Sequence, residues 1–175
     1  MNRAETFLQN ARAVCGDERL SALEAGNTPK QQVACIREGL RVLEESGGER
    51  LVQQAMRPCR CISRAVLEKA EALWHESHED METFLQAMNR EGIGGGMLAT
   101  TDEGDVLARY DKCCCGLAKQ GGLPEGYCQC SCGWCQALFE HILGRQVTVT
   151  LLHGIVGGAK TCDFCIVWPH GERES

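Results

Sequence analysis

Apolar residues recur at helical spacing through the first half of the chain and at strand spacing towards its end. Residues 4 to 14 read as a short first helix. Thr28 and Pro29 give a start signal, a capping hydroxyl followed by proline in the first turn. Val33, Ile36, Leu40 and Leu43 then repeat at helical intervals until Gly47 and Gly48 end the run. Residues 49 to 57 add a short helix that stops at Pro58. Another begins at about Ser63, with Val66, Leu67, Ala70, Leu73 and Trp74 along one face, and Met81, Phe84, Leu85 and Met88 mark the next.

The pattern changes at G-I-G-G-G, residues 92 to 96. The segment M-L-A-T-T-D-E-G-D-V-L-A-R-Y places two short apolar runs around Asp102, Glu103 and Gly104, which predicts a β-hairpin. Residues 112 to 130 read as a Cys- and Gly-rich loop. From about Ser131 to Leu143 helical spacing returns, with Trp134, Leu138 and Ile142 four apart. Val147, Val149 and Leu151 alternate with polar neighbours, as a half-buried strand requires. Gly157 and Gly158 supply a turn into a last strand, with Cys162, Phe164 and Ile166 on one face and Asp163 and Cys165 on the other. The predicted fold is α+β: N-terminal helices over residues 1–91, then a small, mainly antiparallel sheet with a packed helix over 92–175, together one compact domain.

Composition narrows the function classes. A chain of 175 residues with 43% hydrophobic and 24% charged residues has an ordinary globular balance. A net charge of −6 with no basic block gives no electrostatic footprint for nucleic acid or for an anionic membrane. The N-terminus lacks the apolar stretch of a secretory signal and no apolar run is long enough to span a bilayer, so a cytoplasmic location is expected. The chain has 13 cysteines, an odd number that full pairing cannot satisfy, and a reducing compartment disfavours structural disulfides. The thiols therefore point to metal or to catalysis.

Cys113, Cys114, Cys115, Cys128, Cys130, Cys132 and Cys135 lie close together in sequence. Zinc in a thiolate cage needs four ligands at about 2.3 Å. In an extended segment side chains repeat every second residue, so Cys128, Cys130 and Cys132 are expected to share one side of the loop, with Cys113 or Cys115 closing the cage. An iron–sulfur cluster would use the same thiolates, although the C-x2-C-x2-C-x3-C-P run is absent. Cys132-Gly-Trp-Cys135 at a helix start offers a thiol–disulfide alternative, because a helix N-terminus favours the thiolate. Cys59 and Cys61 form a further C-x-C, whereas Cys15 and Cys35 read as core residues. His75, His78 and Glu79 sit among other acidic residues and read as a solvated face. His153, at a strand end, is a candidate ligand or proton carrier.

The segment S-C-G-W-C-Q-A-L-F-E-H-I-L-G-R-Q-V-T-V followed by G-G-A-K-T-C-D-F-C-I resembles the closing part of 4-vinyl-reductase-type small-molecule-binding domains. G-A-K-T-C-D-F, residues 158 to 164, also resembles the aminothiazoline-carboxylate hydrolase-like family, and the similarity covers roughly residues 94 to 168. The resemblance implies a compact α+β pocket domain, often a homodimer, that binds a small organic molecule. It also implies zinc held by cysteines near the helix and at the Cys162 position. Zinc-bearing relatives place an acidic ligand and a cysteine where this chain has Leu151 and Gly154, so the loop cysteines are expected to replace them. By alternation Cys162 faces the core beside Phe164.

These readings converge on a cysteine-ligated metal site, zinc first, beside a pocket for a small organic ligand or substrate, hydrolase-like if catalytic. The expected ligands are Cys115, Cys128, Cys130 and Cys132, with Cys113 next, and Trp134 and His153 line the expected pocket. A thiol-based redox protein, with Cys132 or Cys59 as the reactive thiolate, and an iron–sulfur protein are the alternatives.

Overall fold

The computed structural model describes residues 1–169 and has the expected α+β architecture, so the last six residues of the 92–175 region lie outside the description. Helix α1 (Arg3–Val14) starts from a capping box in which the Asn2 side chain accepts from Glu5 N–H and the Glu5 carboxylate accepts from Asn2 N–H. A single turn, α2 (Glu18–Ser21), follows. Helix α3 (Pro29–Met56) begins at the Thr28 cap and is interrupted at Gly47 and Gly48, the second with a φ of 65° that only glycine adopts at little cost. Helices α4 (Arg64–Glu76) and α5 (Met81–Arg90) are capped by Ser63 and Asp80.

The hairpin pairs β1 (Leu98–Thr100) with β2 (Val106–Tyr110). Helix α6 (Gln129–Leu143) leads to β3 (Thr148–His153), and β4 (Cys162–Val167) closes the chain back into the sheet. The strand order is β1-β2-β4-β3 with every pair antiparallel. Tyr110 stands opposite Cys162, and a bulge between Leu151 and His153 brings His153 opposite Asp163.

Two hydrophobic cores result. One joins α1 to α3 through Phe7, Leu8, Ile36, Leu40 and Leu43 and extends to Met56, Cys59 and Tyr127. The other lies between the inner face of the sheet and α4, α5 and α6, with Phe84, Leu138, Phe139, Phe164 and Ile166 at its centre. The change from helix to sheet after residue 91 is thus a change of secondary structure and not of core, since α4 and α5 pack with the sheet. Burial of each such side chain stabilises the fold by about 1.5–3 kcal/mol relative to exposure.

Arg57, just after α3, ties the cores together. Its guanidinium donates to Gln129 Oε1 (3.2 Å) and Gln136 Oε1 (3.3 Å) on α6, and to the Val149 carbonyl on β3 (2.8 Å). Gly133 makes this crossing possible: a β-carbon there would lie 2.1 Å from the Arg57 carbonyl oxygen. The glycine of C-G-W-C is therefore accounted for by packing. No helix among the described residues is long and apolar enough to cross a membrane.

Candidate functional site

The expected alternation of Cys128, Cys130 and Cys132 on one side of a loop is not what the chain builds. Residues Glu125–Cys128 form a 3-10 turn and α6 starts at Gln129, so Cys130 and Cys132 are helical. On a helix, residues two apart point about 200° from each other, and the two thiols go to different places. Cys132 is sealed in the sheet core, and burial, opposed by the nearby Arg57, pushes its thiol up to about 11. Cys135 lies in the same core, hydrogen-bonded to the Tyr110 hydroxyl, and burial pushes its thiol up to about 12. The five expected ligands therefore occupy three separate neighbourhoods. Among the described residues, no group of three His, Cys, Asp or Glu side chains stands ready to hold a metal ion.

The first neighbourhood pairs Cys128 with Cys162. Cys128 is the last residue of the turn before α6 and Cys162 is the first residue of β4, and both are buried. Their side chains are hydrogen-bonded to each other. Two successive residues of the β3–β4 connection touch the two sulfurs. Ile155 N–H donates to Cys162 Sγ at 3.2 Å, and a β-carbon at Gly154 would lie 3.2 Å from Cys128 Sγ. Glu125 holds this connection in place, since its Oε1 accepts from Gly154 N–H at 2.8 Å.

The two thiols are driven apart electronically. The Cys128 thiol and the Ile155 N–H, acting against burial, hold Cys162 well below the usual thiol range. Cys128 moves upward, first through that same bond to Cys162 and then through burial. Cys113 follows β2 three residues after Tyr110, at the Cys162 end of the sheet. It is half-buried, and burial raises its thiol, with the charges of Cys115 and Cys162 adding to the effect.

The second neighbourhood lies at the edge of the helical core. Cys115 Sγ is 3.1 Å from the Tyr127 hydroxyl, and burial raises the phenol of Tyr127. Burial likewise pushes the Cys130 thiol up to about 12, against the influence of the Arg3 guanidinium. Arg3 donates to the Cys59 carbonyl and to the Cys61 thiol.

Of the expected pocket residues, Trp134 stands apart from both neighbourhoods, whereas His153 lies beside the first, opposite Asp163 and next to Cys162. Trp134 is half-buried against the sheet core. His153 is exposed, with Nε2 3.3 Å from Thr161 Oγ1 and 3.5 Å from Asp163 Oδ2. Arg109, whose Nε donates to both Asp163 oxygens at 3.0 Å, holds that carboxyl below the usual carboxylate range. His75 and His78 are solvated, as expected, and His75 pairs with Glu79 at 3.8 Å. A surface groove of about 750 Å³ opens elsewhere, beside Leu8, Arg12, Leu23 and Gly26.

Sequence reasoning placed Cys162 in the core and missed its partner. The signal was a cysteine opening a strand, but only the folded topology brings it to Cys128. A family profile matches residues 9–172 of the chain. The chain belongs to that family, DUF6144, a family of unknown function. Comparison with curated proteins and with solved structures finds no match.

Proposed function

We propose that this DUF6144 chain is a thiol protein whose reactive centre is the Cys128–Cys162 pair, cycling between dithiol and disulfide. The observation that carries this reading is the contact between the two thiols, one of them also accepting a backbone N–H. A thiolate held beside a thiol is the arrangement that thiol–disulfide exchange uses. The Cys162 thiolate attacks one sulfur of a low-molecular-weight disulfide, forming a mixed disulfide and expelling one thiolate. Cys128 then gives up its proton to that thiolate and attacks the Cys162 sulfur, expelling the second. The net change is one dithiol and one disulfide converted to the Cys128–Cys162 disulfide and two free thiols.

A second reading rests on the position of Cys113. A soft ion, zinc first, would take Cys128 and Cys162 as two thiolate ligands and draw Cys113 from the loop after β2 as a third. The chemistry of the donors suits zinc, which would then join that loop to β4 and add folding energy. A small organic molecule at an open position on the ion would complete the site that the sequence resemblance implies.

Anaerobic purification followed by metal analysis, an absorption spectrum and peptide mapping after brief exposure to oxidised glutathione separates these readings. The dithiol reading expects a colourless, metal-free chain in which Cys128–Cys162 is the first disulfide to form. About one zinc per chain, lost on Cys113→Ser and on Cys162→Ser, would favour the second reading. Brown colour with iron would make it a cluster protein instead. A first disulfide between any other cysteines would overturn the proposal.

A further inference from the structure

Glu125 and Cys128 are the first and last residues of one 3-10 turn. Such a turn has three residues per revolution, so side chains three apart lie on the same side. Both therefore meet the β3–β4 connection at one place. Glu125 Oε1 accepts from Gly154 N–H at 2.8 Å, and a β-carbon on Gly154 would lie 3.2 Å from Cys128 Sγ. The next N–H along the chain, that of Ile155, donates to Cys162 Sγ at 3.2 Å. Two successive backbone donors thus serve a carboxylate and a sulfur.

The connection that carries these donors is closed on itself. The Gly154 carbonyl accepts from Gly157 N–H at 2.9 Å and from Ala159 N–H at 3.2 Å, and the Ile155 carbonyl accepts from Gly158 N–H at 3.0 Å. Gly154 is extended, with φ −136° and ψ 147°, a conformation open to any residue, so space and not backbone calls for glycine there. Gly157 also makes room, since a β-carbon on it would fall 2.7 Å from Glu125 Oε1. A turn braced in this way transmits the hold on Gly154 to the adjoining Ile155 N–H.

We propose that Glu125 is a positioning residue of the dithiol centre, holding the Ile155 N–H on the Cys162 sulfur. The assignment rests on the dithiol reading and names the side chain that prepares its attacking thiolate. Glu125 acts through the backbone. An N–H aimed at sulfur favours the thiolate over the thiol, because the charged form is the stronger acceptor. A carboxylate acting by charge alone would do the opposite, since it disfavours a second negative charge nearby. The two effects differ in sign.

The test follows iodoacetamide alkylation of Cys162 by mass spectrometry across pH, in the reduced full-length chain with a chelator present. The midpoint of the profile reports thiolate formation and its plateau reports access, so a loosened connection is separated from a lost hydrogen bond. Glu125 is exposed, and its replacement leaves both cores intact. Glu125→Ala should move the midpoint upward by about one pH unit, a tenfold loss of thiolate at any pH below both midpoints. Glu125→Gln, whose amide oxygen still accepts from Gly154, should keep the midpoint of the unaltered chain. Gly157→Ala, which crowds the carboxylate and leaves its charge, should move the midpoint upward by a smaller step. An unchanged or lowered midpoint in Glu125→Ala, or an equal rise in Glu125→Gln, would overturn the proposal. Failure of the dithiol reading is told apart in the unaltered chain, where the first disulfide would then join other cysteines whatever the Glu125 variants show.

Discussion

In the sheet core, Cys132 and Cys135 lie on the buried face of α6 among Leu138, Phe139 and Phe164, where burial raises their thiols. In the helical core Cys35 and Cys59 are also buried, but Cys115 and Cys61 sit at its rim, where Cys115 meets a hydroxyl and Cys61 a guanidinium. Between these regions, Cys128 and Cys162 face each other across the join of α6 and β4. One residue type thus fills space in one core and meets polar partners at the edge of the other. The difference lies in backbone placement. The helix start at Gln129 sends alternate thiols of a single C-x-C-x-C run to opposite cores.

The most disruptive way to break that arrangement is at Gly133. Its missing β-carbon would fall 2.1 Å from the Arg57 carbonyl oxygen, a backbone atom that no rotamer change can move aside. Gly133→Ala should therefore destabilise the chain by about 3 kcal/mol, at the upper end of the cost of overpacking a core. Urea denaturation measures it. A neutral result would mean that α6 is not pressed against the end of α3. The function of C-G-W-C as a packing motif would then lose its support.

A smaller effect is expected from Arg57→Met, which keeps much of the length and removes the guanidinium. The Val149 carbonyl and the Gln129 and Gln136 side chains lose their donor. Partly buried acceptors left without partners cost about 1–3 kcal/mol in total. Because Arg57 joins the cores, tryptophan fluorescence and far-ultraviolet circular dichroism should report separate transitions in the variant. Trp74, Trp134 and Trp168 all belong to the sheet core, so fluorescence follows that core alone. Coincident transitions would show that the cores are coupled by other contacts.

Much of the fold was legible because local chemistry and tertiary packing agree. Thr28-Pro29 and Ser63 are true helix starts, and the alternation through Val149 and through Phe164 matches the buried face of the sheet. The α6 start was misplaced for a physical reason. Its cap position is Cys128, which makes no side-chain capping bond, so the sequence carries no polar signal there. That short displacement separated the predicted ligands. The Cys128–Cys162 contact was illegible because it depends on β4 returning between β2 and β3. The Arg3 neighbourhood depends on α1 reaching the turn after α3, another contact between distant segments.

The last comparison is between the two sulfurs of the pair, and pH resolves it. Cys162 is lowered by its bond from Cys128, and Cys128 is raised by the same bond. Between the lowered Cys162 value and the ordinary thiol value of about 8.5, the unfolded chain holds more protons than the folded one, so stability rises with pH. Above that value Cys128 keeps a proton that the unfolded chain has lost, and stability falls again. The contribution of the pair should therefore peak near the ordinary thiol value, and denaturation of a Cys128→Ala/Cys162→Ala variant across pH should lack that peak. Alkylation gives the finer test. The iodoacetamide rate at Cys162, followed by mass spectrometry, should reach its midpoint below the ordinary thiol value and shift upward in Cys128→Ala. A midpoint that does not move would mean that the charge on Cys162 is set by the Ile155 N–H alone, and the two cysteines would no longer count as a pair.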